Sequence, residues 1–107
     1  MRQAEIHFKG ERAGLLSQWD NGQFTFEYDK QWKSDTNKSA IALNFPKIQS
    51  EFTSEHLFPL FFNMLPEGSN KKIVCEKQRI DEDDLFSLLL ITAEHDSIGA
   101  ITVKKVE

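Results

Sequence analysis

Asp20-Asn21-Gly22-Gln23-Phe24-Thr25-Phe26-Glu27-Tyr28 is the stretch that decides the fold. Asn and Gly tolerate the positive φ that tight hairpins need, so Asp20-Asn21-Gly22 reads as a turn. After it, Phe24, Phe26 and Tyr28 alternate with Thr25 and Glu27, the period-two pattern of a half-buried strand. Three aromatic rings on one face require helices packed over them.

Working outward, the first half of the chain reads as strands. Ala4-Glu5-Ile6-His7-Phe8-Lys9 alternates apolar with polar, Gly10 breaks it, and Ala13 to Ser17 carries a second short apolar stretch. Ile41, Leu43 and Phe45 repeat the alternation until Pro46 ends it. The second half reads as helices. Ser54 is placed to cap a helix from Glu55. Leu57, Phe58, Phe61, Phe62 and Leu65 then give one wide apolar face. Pro59 lies just inside its start, and Pro66 and Gly68 stop it. A second helix is expected from Ser69 or Asn70 to about Arg79, basic through Lys71, Lys72, Lys77 and Arg79, with a thin apolar face of Ile73, Val74 and Ile80. A third starts at Asp81, carries Leu85, Phe86, Leu88, Leu89 and Ile91, and frays near His95. Ala100-Ile101-Thr102-Val103 forms a closing strand. The expected class is α+β: a small antiparallel β-sheet with about three helices packed on one face.

The totals agree with a single domain over residues 1–107. Nine Phe and two Trp are many for this length, and surplus rings tend to sit at interfaces. The net charge of −4 argues against direct nucleic-acid binding, which needs a basic face for phosphates. One cysteine, Cys75, excludes an intramolecular disulfide. Neither a signal peptide nor a membrane span is legible, so a cytoplasmic location is expected.

No catalytic, cofactor-binding or metal-ligating set emerges. There is no phosphate-binding glycine loop, no kinase catalytic loop and no Asp-Phe-Gly. His7, His56, His95 and Cys75 match no metal-ligand spacing. Cys75 reads as a small semi-buried thiol on a helix. Asp81-Glu82-Asp83-Asp84 reads as a cap and a solvated first turn, in preference to a partner site. Lys71, Lys72, Lys77 and Arg79 read as a solvated helix face, in preference to a phosphate or acidic-partner site. Trp19 and Trp32, near turns, read as core-edge residues, with interface anchoring as the alternative.

The candidate partner-binding element is the corner formed by Met64, Pro66, Glu67, Gly68, Ser69 and Asn70. A Pro-Glu-Gly turn between helices gives a rigid exposed loop, and rigid loops lose little entropy on binding. From the residues alone a plain helix connector is an equal alternative.

Thr53 to Ser69, with Phe61-Phe62-Asn63-Met64-Leu65-Pro66 as its most specific part, resembles the N-terminal subdomain of HipA-type toxin kinases. Asp96-Ser97-Ile98-Gly99-Ala100 is the second match. Asn21-Gly22 with Phe24 to Tyr28 is similar to the family's first hairpin. Ile41-Ala42-Leu43-Asn44-Phe45-Pro46 is similar to a Ser-Leu-Ser-Leu-Pro strand, with Asn44 and Phe45 departing. In the family a kinase body follows this subdomain; here the sequence stops at Glu107. The resemblance therefore implies a separate HipS-like regulatory subunit, not itself an enzyme, that acts as antitoxin to a HipT-like Ser/Thr kinase. A HipB-like DNA-binding protein could join through the complex. Two alternatives stay open: a non-inhibitory assembly module bridging kinase and DNA-binding protein, or one piece of a split kinase that supports activity. In related free-standing subunits an aromatic residue follows the Pro-Glu-Gly corner. Here Ser69 stands there, and its hydroxyl offers a pseudosubstrate instead of a plugging ring.

Overall fold

The hairpin at Asp20–Gly22 closes on backbone bonds from Trp19 N–H to Gln23 O (2.8 Å) and from Gly22 N–H to Trp19 O (2.9 Å). It is a three-residue loop in which Gly22 takes φ +88° and Asn21 stays at negative φ. The Asn21 side chain instead accepts from Gln23 N–H at 3.0 Å. The computed structural model describes residues 1–93 and 100–106. Its elements in order are β1 (Arg2–Phe8), β2 (Glu11–Gln18), β3 (Phe24–Tyr28), α1 (Lys30–Ser34), β4 (Glu51–Ser54), α2 (Pro59–Phe62), α3 (Gly68–Gln78), α4 (Leu85–Thr92) and β5 (Ile101–Lys105). All five strands join one antiparallel sheet in the order β4-β3-β2-β1-β5.

Alternation along the strands separates two faces. Ala4 and Ile6 of β1, Leu16 of β2, Phe26 and Tyr28 of β3, and Ile101 and Val103 of β5 are buried on the inner face. The register confirms that they share it, since Ala4 pairs with Leu16, Leu16 with Phe26, and Ile6 with Val103. A bulge at Ala13 shifts the β1–β2 register between Ile6 and His7. The outer face is polar: Glu5 meets His7 Nε2 at 3.0 Å and Arg12 Nη1 at 3.5 Å, and Arg12 Nε also reaches Asp29 at 3.1 Å. The helices cover the inner face only, which is the expected α+β arrangement with four helices where about three were expected.

Aromatic rings fill the space between sheet and helices. Phe45 lies 4.7 Å from Phe26, 4.9 Å from Phe52 and 5.0 Å from Phe58, measured between ring centroids. Such offset pairs add to simple area burial. Helix α4 supplies Phe86, Leu88 and Leu89, each fully buried. Its N-cap is Asp84, whose carboxylate accepts from Ser87 N–H at 3.2 Å. Arg2 of β1 clasps the same carboxylate at 2.7 Å and lays its guanidinium 4.9 Å over the Phe86 ring. At the other end Val103 N–H donates to Ala93 O at 3.0 Å, joining α4 to β5.

Several sequence expectations need correction. Ile41, Leu43 and Phe45 form no strand: Ile41 and Phe45 are buried while Leu43 is fully exposed. A turn bonded from Phe45 N–H to Ala42 O (3.1 Å) breaks the period. The helix expected from Glu55 is only Pro59–Phe62. Proline has no N–H to give to an interior turn and fits the first helical position, so Pro59 starts the helix. Residues 55–58 are neither helix nor strand and link the helix to β4, where Phe52 pairs with Phe26. Ser54 caps no helix; its hydroxyl accepts from His56 N–H at 3.1 Å in a local turn. Gly68 opens α3 instead of stopping the helix before it. The third helix starts at Leu85, because Asp81 accepts from Asp83 N–H (2.9 Å) in a tight turn first. Phe62 and Ile91 are exposed, and a further short helix, α1, buries Trp32. The expected fraying near His95 and the Asp96–Gly99 motif lie outside the described residues.

Two stability predictions follow from α4. Leu89→Ala is expected to lower the unfolding free energy by about 2–5 kcal/mol, as truncation of a fully buried leucine does. A urea midpoint near that of the parent would show that α4 is not central. Asp84→Ala is expected to cost about 0.5–2 kcal/mol through the lost cap. The hydrogen bond from Arg2 holds the Asp84 carboxyl below the usual carboxylate range, against a weaker opposing effect of burial. A depressed folded-state pKa stabilises above the unfolded value, about 3.9 for Asp. That stabilisation is lost as pH falls through the folded value. Asp84→Ala should therefore flatten the acid limb of the stability–pH curve, and an unchanged limb would contradict the assignment.

Candidate functional site

The corner between α2 and α3 begins in the core. Phe61 and Leu65 are buried, Met64 is half-buried and packs against the core cluster, and Pro66 is half-buried. From Glu67 the chain emerges. Glu67 is extended (φ −120°, ψ 158°) and forms no side-chain cap. Gly68 takes φ +58°, a left-handed conformation that costs an L side chain about 1–2 kcal/mol. Ser69 and Asn70 follow on the first turn of α3, and Glu67 through Asn70 are all exposed.

All six expected corner residues thus lie in one short segment, but in two roles. Met64 and Pro66 anchor it. Glu67, Gly68, Ser69 and Asn70 present it. The first three N–H groups of a helix have no intrahelical partner. Lys71 N–H makes the first capping bond, to Glu67 O at 3.4 Å. The N–H groups of Gly68, Ser69 and Asn70 have no backbone partner among the described residues and, with the hydroxyl of exposed Ser69, make a local group of donors.

Beneath the corner lies a cavity of about 240 Å³, lined by Phe62, Leu65, Pro66, Glu67, Gly68 and Lys71. Phe62, expected on the apolar helix face, is 51% exposed. The signal was in the shortness of a proline-started helix: Pro59–Phe62 makes one turn, and one turn cannot bury both Phe61 and Phe62. An exposed ring therefore does flank the corner, supplied from before the Pro-Glu-Gly and not after it.

The other singled-out residues divide clearly. Trp32 is buried, its indole N–H donating to Ser39 O at 3.0 Å. Trp19 is 45% exposed and donates to Thr25 Oγ1 at 3.0 Å. Cys75 is the buried residue of α3, more enclosed than expected. Among the described residues, no group of three or more His, Cys, Asp or Glu side chains could hold a metal ion. No helix among them is long and apolar enough to cross a membrane.

Sheet, helical cover and projecting corner define a small α+β domain that presents a loop from a rigid scaffold. The model of the HipA N-terminal domain matches residues 4–104, and the chain belongs to that family. An uncharacterised protein of Haemophilus influenzae is 35% identical over 105 residues, covering 98% of this chain and 93% of that protein. A putative kinase of Sinorhizobium fredii, Y4mE, is 25% identical over 89 residues, and this stretch is 83% of the chain but only 21% of that protein. Among solved structures, an N-terminal domain of HipA toxin superposes with a TM-score of 0.74 and 34% identity, over 100% of this chain and 94% of that one. The chain therefore carries the N-terminal part of the HipA architecture, which is distinct from its catalytic part.

Proposed function

We propose that this chain is a single-domain, HipS-like antitoxin subunit of a HipA-related toxin–antitoxin system. It binds a HipT-like Ser/Thr kinase in the bacterial cytoplasm and neutralises it without catalysis of its own. The family match over residues 4–104 carries this reading. The contact is the corner of Met64, Pro66, Glu67, Gly68, Ser69 and Asn70, which stands out from the scaffold and offers donors beside an exposed ring. A HipB-like DNA-binding protein joins through the kinase.

A second reading has its own support. The chain matches about a fifth of a putative kinase, so the same domain also occurs within a longer protein. On that reading the chain is one piece of a split kinase and supports activity. A third, an assembly module without effect on catalysis, differs again in sign. The deciding experiment expresses the HipT-like kinase encoded beside this gene, with and without this chain. Growth rescue and reduced autophosphorylation support the antitoxin. Raised autophosphorylation supports the split kinase. Unchanged activity with co-purification supports the assembly module.

A further inference from the structure

β4 is one edge strand of the sheet. Its inner neighbour β3 hydrogen-bonds β2 through odd-numbered residues, as Asp29 N–H to Ala13 O (2.9 Å) and Trp19 N–H to Gln23 O (2.8 Å) show at the two ends of the ladder. It bonds β4 through even-numbered ones, beginning with Tyr28 N–H to Ser50 O (2.9 Å). Antiparallel ladders alternate in this way, so the backbone groups of Glu51 and Thr53 point away from β3, to the outside. Gln49 Nε2 covers the Glu51 carbonyl at 2.6 Å. The N–H groups of Glu51 and Thr53 and the Thr53 carbonyl have no backbone partner among the described residues.

Two further features lie along this edge. A cavity of about 370 Å³ opens beside Thr53, floored by the rings of Phe45, Phe52 and Phe58 and by Leu60. On the opposite face Glu51 stands directly across from Glu27, and both are exposed. Like charges directly opposite on a sheet repel. Among the described residues neither has a cation within salt-bridge distance.

We propose that the β4 edge is a docking site for an extended segment of a partner protein, with an apolar residue set between basic ones. The free ladder groups specify an extended backbone and exclude a helix. Successive residues of an added strand alternate faces. One enters the Phe45–Phe52 cavity, and its neighbours lie beside Glu51 and Glu27, where Lys or Arg removes the repulsion. The same charge argues against a second copy of this chain, because pairing two β4 strands would bring more glutamates to the acidic rim. This site is separate from the corner and does not depend on the antitoxin reading.

The test uses the full chain and a capped peptide of sequence Lys-Leu-Lys-Leu-Lys. Amide NMR shifts centred on Glu51–Ser54 and Phe45, with slowed exchange at Thr53, are the expected result. N-methylation of the central lysine keeps every charge and removes the N–H aimed at the Thr53 carbonyl. It should weaken binding by roughly two- to tenfold. Thr53→Pro should weaken it similarly, since an outward N–H on an edge strand is removed without touching the β3 ladder. Equal affinity for the N-methylated peptide would reduce the binding to charge attraction and overturn the proposal, even if Thr53→Pro failed to fold. Shifts located elsewhere, or dimerisation through β4 on sedimentation, would overturn it as well.

Discussion

Phe45→Ala is expected to lower the unfolding free energy by about 3–5 kcal/mol, the range for a buried phenylalanine lost to a cavity. Phe45 is 1% exposed and packs tilted against Phe26 and Phe52 and edge-on to Phe58. Its weight comes from where it sits in the chain. The segment between α1 and β4 has no helix or strand, so it is held by a few side chains. Phe45 is one, and its carbonyl accepts from the Tyr28 hydroxyl at 2.5 Å. That hydroxyl in turn accepts from Ile41 N–H at 3.1 Å. Tyr28→Phe leaves both backbone groups buried without this partner and should cost about 1–3 kcal/mol. Leu43→Ala, two residues from Phe45 but fully exposed, should stay within about 0.5 kcal/mol of the parent. Urea denaturation of the three variants checks the ranking. A large loss for Leu43→Ala matching that of Phe45→Ala would restore the alternating strand expected from the sequence.

That inversion shows where the sequence could and could not be read. β1, β3 and β5 were legible from alternation and β2 from its short apolar stretch, Ala13 to Ser17, and the turns between β1, β2 and β3 carry Gly10 and Gly22. α3 was legible to within a residue or two, expected from Ser69 or Asn70 to about Arg79 and found at Gly68–Gln78, with Arg79 ending it in a left-handed cap. The segment from Ile41 to Phe58 was not. Its apolar residues answer to the aromatic cluster, a tertiary demand that local period does not encode. The same demand moved Glu51–Ser54 into the sheet and shortened α2 to one turn. The corner at Pro66–Asn70 could be located from Pro, Gly and polarity alone. Its companion Phe62 could not, since a phenylalanine beside Phe61 reads as core until the helix length is known. The edge groups of β4 were illegible for a plainer reason: strand order in the sheet is not written in any one segment.

On the proposed antitoxin reading, replacing the corner together, as Glu67→Ala, Gly68→Asn and Ser69→Ala, should cut neutralisation of the kinase while leaving the fold nearly intact. The argument rests on exposure. Glu67, Gly68 and Ser69 have no buried contact, and an added Cβ at Gly68 meets nothing within 4 Å. Asn is chosen there because it tolerates the left-handed φ of +58°. Stability should therefore fall by no more than about 1 kcal/mol. Binding should fall at least about tenfold if the corner contains even one hot-spot residue, each worth roughly 1–2 kcal/mol or more. Phe62→Ala gives an independent reading of the same surface. Its ring is half-exposed beside the corner cavity, so truncation removes contact area from the interface more than from the core. Affinity measured by titration calorimetry, beside melting of each variant alone, separates the two effects. If the triple variant stays folded and still protects cells fully, the corner is not the proposed contact. If it loses protection while Phe62→Ala keeps it, the donors of the α3 first turn carry the contact and the ring does not. Loss in both would make the exposed phenylalanine part of the same contact as the corner.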